Sequence, residues 1–155
     1  ALADLYLPPW KAYLGAIGTG DVNVGALPRV VQDADYFAEN FASVPVVVVA
    51  CAELAGLHPT DTELGRLSIV GGGSVYPPVQ NFLPPLRDQG VGPAFTTLLC
   101  ASEPSVRELL AIPDGFVTAC HIAVGYPERP FPSRLTRSPV EEIVFAESFG
   151  TPLFP

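Results

Sequence analysis

Apolar residues at Leu2, Leu5, Tyr6, Trp10, Tyr13, Leu14 and Ile17 follow a helical period at the start of the chain. Pro8 and Pro9 interrupt that run, which predicts a broken helix whose better half follows Pro9. A second helix is predicted over 27–41, with Val30, Val31, Ala34, Phe37, Ala38 and Phe41 on one face. The run VPVVVVAC at 44–51 is continuous and β-branched, so it reads as a strand buried on both faces in the middle of a sheet. Residues 53–67 are a polar connection, with His58 in a turn-like, structural or solvated setting before Pro59.

The stretch 71–100 reads as a glycine hinge, a central helix over 74–88, a glycine-rich turn and a short strand at 95–100. Pro77 and Pro78 suit the first turn of that helix, where a missing N–H is harmless. Pro84 and Pro85 fall in its interior, where each costs about 3 kcal/mol and predicts a kink. Gln80 and Asn81 interrupt its apolar face, which points one amide at backbone or at a neighbouring subunit. Ser102 reads as the N-cap of a short helix covering 106–110. Residues 116–124 alternate as a strand covered on both sides, with His121 its polar intruder and best read as a satisfied core histidine. A proline-rich, arginine-bearing loop follows over 125–139, then a helical turn and extended arm over 140–149 and a tail at 150–155.

Composition narrows the class. The 155 residues are 48% hydrophobic, enough for one sizeable core and one domain. Eighteen prolines and fourteen glycines are scattered among apolar segments, which argues against disorder. A net charge of −8 argues against nucleic acid and anionic membranes as partners. No apolar run reaches the roughly 18 residues of a membrane span, and no signal peptide is visible. Cys51, Cys100 and Cys120 each sit in an apolar run without metal-ligand spacing, so they read as buried thiols in a reducing, cytoplasmic protein. GAIGTG in 15–25 lacks the preceding strand of a dinucleotide fingerprint. The chain starts at Ala1 and contains no Met, so a natural start upstream is expected. Arginine outnumbers lysine seven to one, a bias of GC-rich bacterial genes.

Charge is unevenly placed. Three of the eight basic residues, Arg129, Arg134 and Arg137, fall within nine positions of an otherwise acidic chain. The reading is either a solvated loop or an anion clamp, since the guanidinium fork matches phosphate and carboxylate.

Taken together, SVYPPVQNFL, GVGPAFTTLL, VRELLAIPDGF, AVGYP and RLTRSPVEEIVF resemble the C-terminal two-thirds of the nitroreductase family of FMN-dependent oxidoreductases. The resemblance implies an α+β fold with a mostly antiparallel sheet flanked by helices, and an intertwined homodimer with a flavin at each end of the interface. The central helix would form much of that interface, and the arm after Phe145 would reach the partner subunit. Thr96, Thr97 and Leu98 would lie beside the isoalloxazine edge, where a fixed donor near N5 favours the reduced ring. Arg137 matches the position that binds the FMN phosphate, and Arg134 is a second contact. The implied reaction carries hydride from NAD(P)H through flavin N5 to a nitroaromatic, quinone or similar acceptor by a ping-pong route. Tyr76 and Phe82 would line the acceptor pocket or serve as interface aromatics. The family's Arg-rich opening helix has no match in 1–36, and LPPW at 7–10 is a poor match for the segment that follows it. An N-terminal flavin-binding segment is therefore expected to be missing. The alternative is a non-catalytic, flavin-sequestering protein of the same fold.

Overall fold

The computed structural model describes residues 1–17 and 23–154, so the second half of the GAIGTG motif, 18–20, lies outside the described residues. Helix α1 runs unbroken from Leu2 to Ile17 through Pro8 and Pro9, against the expected break. Proline at 9 removes the N–H that would have bonded the Leu5 carbonyl four residues back. The Ser102 hydroxyl donates to that carbonyl at 3.0 Å and fills the vacant bond from a distant part of the chain. Burial on one face does the rest. Tyr6, Trp10 and Leu14, one turn apart, are all nearly sealed from solvent.

Helix α2 spans Arg29–Glu39, shorter than predicted, and a 3-10 turn at Phe41–Ser43 takes up its end. Strand β1 is Val46–Glu53. After an irregular connection come α3, Tyr76–Asp88, then β2, Gly92–Thr96, a 3-10 turn at Leu98–Ser102, α4, Glu103–Leu110, and β3, Phe116–Gly125. The expected strand at 95–100 is thus shifted. Its pairing stops at Thr96 because Thr97 leaves the extended region, at φ −109° and ψ 0°.

The sheet is antiparallel in the order β1-β3-β2. The β-branched run 44–51 was expected at the sheet centre, but β1 is an edge strand and β3 holds the middle. The run does pack on both faces, Val47 with one core and Val48 with the other, but no residue of 44–51 is fully buried. Two-sided cover, however, does not decide which strand has neighbours on both edges. Pro93 is compatible with β2 at the opposite edge, where a missing N–H costs no ladder bond. The alternation in β3 also breaks. Ala50 faces Cys120 while Cys51 faces Thr118, leaving Ala119 unmatched across β1.

Two cores sandwich the sheet. On one face α3 places Val79 and Leu83 against Cys120, Ile122 and Val124. On the other, α1, α2 and α4 gather Tyr6, Trp10, Leu14, Ala38, Phe41, Leu99 and Val106. Pro77 and Pro78 do occupy the first turn of α3, as expected. Pro84 and Pro85 free the carbonyls of Gln80 and Asn81, both exposed residues, so the missing helix bonds fall at solvent-accessible positions. Neither amide has a protein partner among the described residues. Gly90, at φ 73°, closes α3 as its N–H and that of Val91 return to Arg87 and Leu86, which aims the chain into β2.

Three local expectations change. Ser102 occupies the N-cap position of α4 without a capping hydrogen bond, because its hydroxyl serves Leu5. The connection before α3 is pinned by Asp61, which accepts from Ser68 Oγ at 2.6 Å, Arg66 at 2.8 Å and the Ile69 N–H at 3.1 Å. These bonds, that from Ser68 foremost, hold the Asp61 carboxyl below its ordinary pKa. The expected extended arm is a closed turn: Phe145 pairs with Pro152, and Ala146 N–H reaches the Thr151 carbonyl at 3.0 Å. Positive φ at Glu147 and Gly150 bends the chain back on itself.

Candidate functional site

The end of β2 builds a polar corner. The Thr96 side chain leaves the sheet on the α1 side, and its Oγ1 accepts the Leu98 N–H at 3.1 Å. The same oxygen lies 3.2 Å from the Tyr6 hydroxyl. Tyr6 is held by stacking on Phe41 at 4.5 Å and by the edge of Phe37 at 5.6 Å. Burial pushes the Tyr6 phenol above its ordinary pKa, with the Thr96 contact pulling the other way, so it keeps its proton at neutral pH.

Beside this corner is an open cavity of ≈ 500 Å³. Thr96, Thr97 and Leu98 form one wall, and Tyr6, Trp10, Tyr13 and Phe37 contribute aromatic surface from α1 and α2. Trp10 is oriented by its indole N–H, which donates to Asp35 at 2.8 Å. Lys11 is held between Asp35 and Glu39 on α2, and its ammonium pKa is raised, chiefly by Glu39. Its charge is therefore spent locally.

Of the residues predicted from sequence, Thr96, Thr97 and Leu98 come together on this wall. The other two do not join them. Arg134 and Arg137 sit exposed on the loop after β3, outside the cavity, and one Arg137 nitrogen donates to the Thr136 carbonyl at 2.8 Å. That loop is tied to the end of α3 by Arg87, whose guanidinium lies 5.1 Å from the Phe131 ring centre. Tyr6, Trp10, Tyr13 and Phe37 were missed because their helical spacing reads equally well as core packing.

A second groove of ≈ 580 Å³ runs between α3 and β2, lined by Tyr76, Pro77, Val79, Gln80, Leu83 and Phe95. Tyr76 meets Phe95 edge-on at 6.2 Å and donates to the Ala119 carbonyl at 3.3 Å. Phe82 lies outside this groove and is 40% exposed.

Cys51, Cys100 and His121 depart from expectation, whereas Cys120 and His58 do not. Cys120 is buried, but Cys51 is exposed at the β-irregularity and Cys100 is only partly covered. All three are unpaired thiols. His58 is exposed. His121 is fully buried, yet neither ring nitrogen finds a hydrogen-bond partner among the described residues, so it is not the satisfied core histidine predicted. Glu103, the nearby carboxylate, spends Oε2 on the Thr118 N–H and hydroxyl at 3.1 and 3.0 Å. Among the described residues no cluster of His, Cys, Asp and Glu has the form of a metal site, and no helix is long and apolar enough to cross a membrane.

No family model matches the chain, and no curated protein matches it. Solved structures do. A BluB-like flavoprotein from Clostridium difficile 630 superposes with a TM-score of 0.59 at 18% identity, covering 95% of this chain and 73% of that one. A Bacteroides fragilis NCTC 9343 protein, provisionally described as an oxidoreductase, superposes with a TM-score of 0.55 at 18% identity, covering 96% of this chain and 65% of that one. At such identity the likeness is one of fold. The α+β architecture, a small antiparallel sheet flanked by helices, is shared with these proteins.

Proposed function

We propose that this chain is a flavin-dependent oxidoreductase that binds FMN in the cavity beside Thr96–Leu98. The observation that carries the reading is the composition of that cavity. Its walls are largely apolar and aromatic, and the Tyr6 and Thr96 hydroxyls meet at the β2 corner. An isoalloxazine has the same division, with apolar faces and hydrogen-bonding atoms along its edge, so the residues present fit the ring. Flavin bound there supplies two-electron chemistry at N5. Thr96, Thr97 and Leu98 contact the ring, and the aromatic residues exclude water from it. Arg137, with Arg134 second, contacts the phosphate from the exposed loop after β3, outside the ring cavity. NAD(P)H is the transient donor, and a small nitroaromatic, quinone or related molecule is the acceptor.

The chain works as a homodimer in this reading. The apolar groove between α3 and β2, with Tyr76 and Phe82 exposed nearby, supports a second copy as its cover. Three unpaired thiols suit a reducing, cytoplasmic setting.

Titration of the purified chain with FMN tests the reading directly. Uptake is expected to quench flavin fluorescence, and anaerobic NADPH is expected to bleach the bound chromophore. A chain that takes up no FMN refutes the assignment, whereas a bound flavin that stays oxidised makes it a sequestering protein. Arg137→Ala is expected to weaken FMN more than about tenfold and leave lumiflavin, which lacks the phosphate, unchanged. Equal FMN affinity in the variant would make the arginine loop a solvated surface.

A further inference from the structure

Tyr6 and Thr96 approach from elements 90 positions apart in sequence, and their hydroxyls meet on the cavity wall at 3.2 Å. Thr96 Oγ1 already accepts the Leu98 N–H, which fixes the direction of one of its lone pairs. Two hydroxyls carry two protons, and only one can lie between the two oxygens. The other is left over whichever residue donates. Neither oxygen has a further acceptor among the described residues, so the pair holds one unspent donor beside the cavity. Both ends of the pair are held in place, Tyr6 by the Phe37 and Phe41 rings and Thr96 by the Leu98 N–H.

We infer that the Tyr6–Thr96 pair donates one hydrogen bond to an in-plane acceptor, a carbonyl oxygen or an unprotonated ring nitrogen, of the planar heteroaromatic ligand in this cavity. The inference rests on the flavin reading above and adds to it a residue of α1 that contacts the ring. The raised pKa of the buried phenol supports the assignment, because a neutral Tyr6 donates where a phenolate would repel an acceptor. The pair also accounts for the otherwise unused tyrosine in an aromatic cluster where phenylalanine would pack as well.

The test uses FMN and lumiflavin as probes, read by fluorescence quenching and by the absorption band of the bound ring. Tyr6→Phe keeps the stack on Phe41, and Thr96→Val keeps the shape of the strand end. Each single variant retains one hydroxyl, so each is expected to lose less than about twofold in affinity. The double variant removes both protons and is expected to lose about tenfold for both probes alike, with a displaced absorption band. A thermal melt of each variant with no ligand present separates a folding defect from lost binding. Double-variant affinities within twofold of the wild type, or a loss for FMN that lumiflavin does not share, overturn the pair as a ring contact. Failure of the wild-type chain to bind either probe refutes the flavin reading itself, and this inference with it.

Discussion

Truncation of Leu99 to alanine is expected to lower the free energy of unfolding by about 3–5 kcal/mol. Leu99 is 0% exposed and sits where the 3-10 turn after β2 enters the larger core. Its neighbours in that core, Tyr6, Trp10, Phe41 and Val106, come from two helices and a 3-10 turn that cannot all move inward to fill the space. The cost therefore includes a cavity as well as lost transfer energy. Urea unfolding followed by circular dichroism measures it. A loss below about 1 kcal/mol would mean that the turn relaxes freely and that Leu99 does not tie β2 to α1. Because Leu98 rides on the same turn and its N–H is bonded to Thr96 at the end of β2, weaker flavin uptake is expected to accompany the loss.

His121 yields the second large effect, and its sign is fixed by burial. Desolvation lowers its pKa below the ordinary value of 6.5, with Glu103 acting in the opposite direction. As pH falls below about 6.5, the unfolded chain gains a proton that the folded chain refuses. Stability thus falls with pH through that window and levels off only below the folded pKa. Replacing His121 with leucine removes two buried, unpartnered ring nitrogens from a strand surrounded by apolar side chains. His121→Leu is expected to raise stability by about 1–3 kcal/mol at pH 7 and to flatten its dependence between pH 7 and 5. Thermal melts across that range decide the matter. A wild-type midpoint that does not fall on acidification, or a variant that keeps the full slope, would show that the imidazole finds a partner.

The fold was legible where a single element carries its own signal. The spacing of Tyr6, Trp10 and Leu14 marks a helical face, and all three are buried together in α1. The β-branched run before Cys51 is a strand, and Pro77 and Pro78 do open α3. Where a residue's environment comes from elsewhere in the chain, the local signal misleads. The Ser102 hydroxyl repairs the helix that Pro9 was expected to break, a bond spanning 97 positions. The same diversion costs α4 its predicted cap.

The site divides in the same way. Thr96, Thr97 and Leu98 are close in sequence, so any fold that ends β2 there keeps them together. Tyr6 joins them only because α1 packs across the turn after β2, and nothing in LADLYLPPW distinguishes a hydroxyl that faces a cavity from one that faces water. His121 shows the converse: its place inside an apolar strand foretold burial, but not the lack of partners.

By itself, the sequence determined that α1, α2, α3 and α4 are helices and β1 and β3 are strands, that both faces of the sheet would be covered, and that charge would collect after β3. Tertiary structure alone decided which strand lies in the middle, because edge and centre differ in backbone neighbours rather than in side-chain pattern. It alone placed Tyr6 against Thr96 and left Arg134 and Arg137 outside the cavity. Apolar periodicity encodes what a residue is buried from, and packing between distant elements determines what it is buried against.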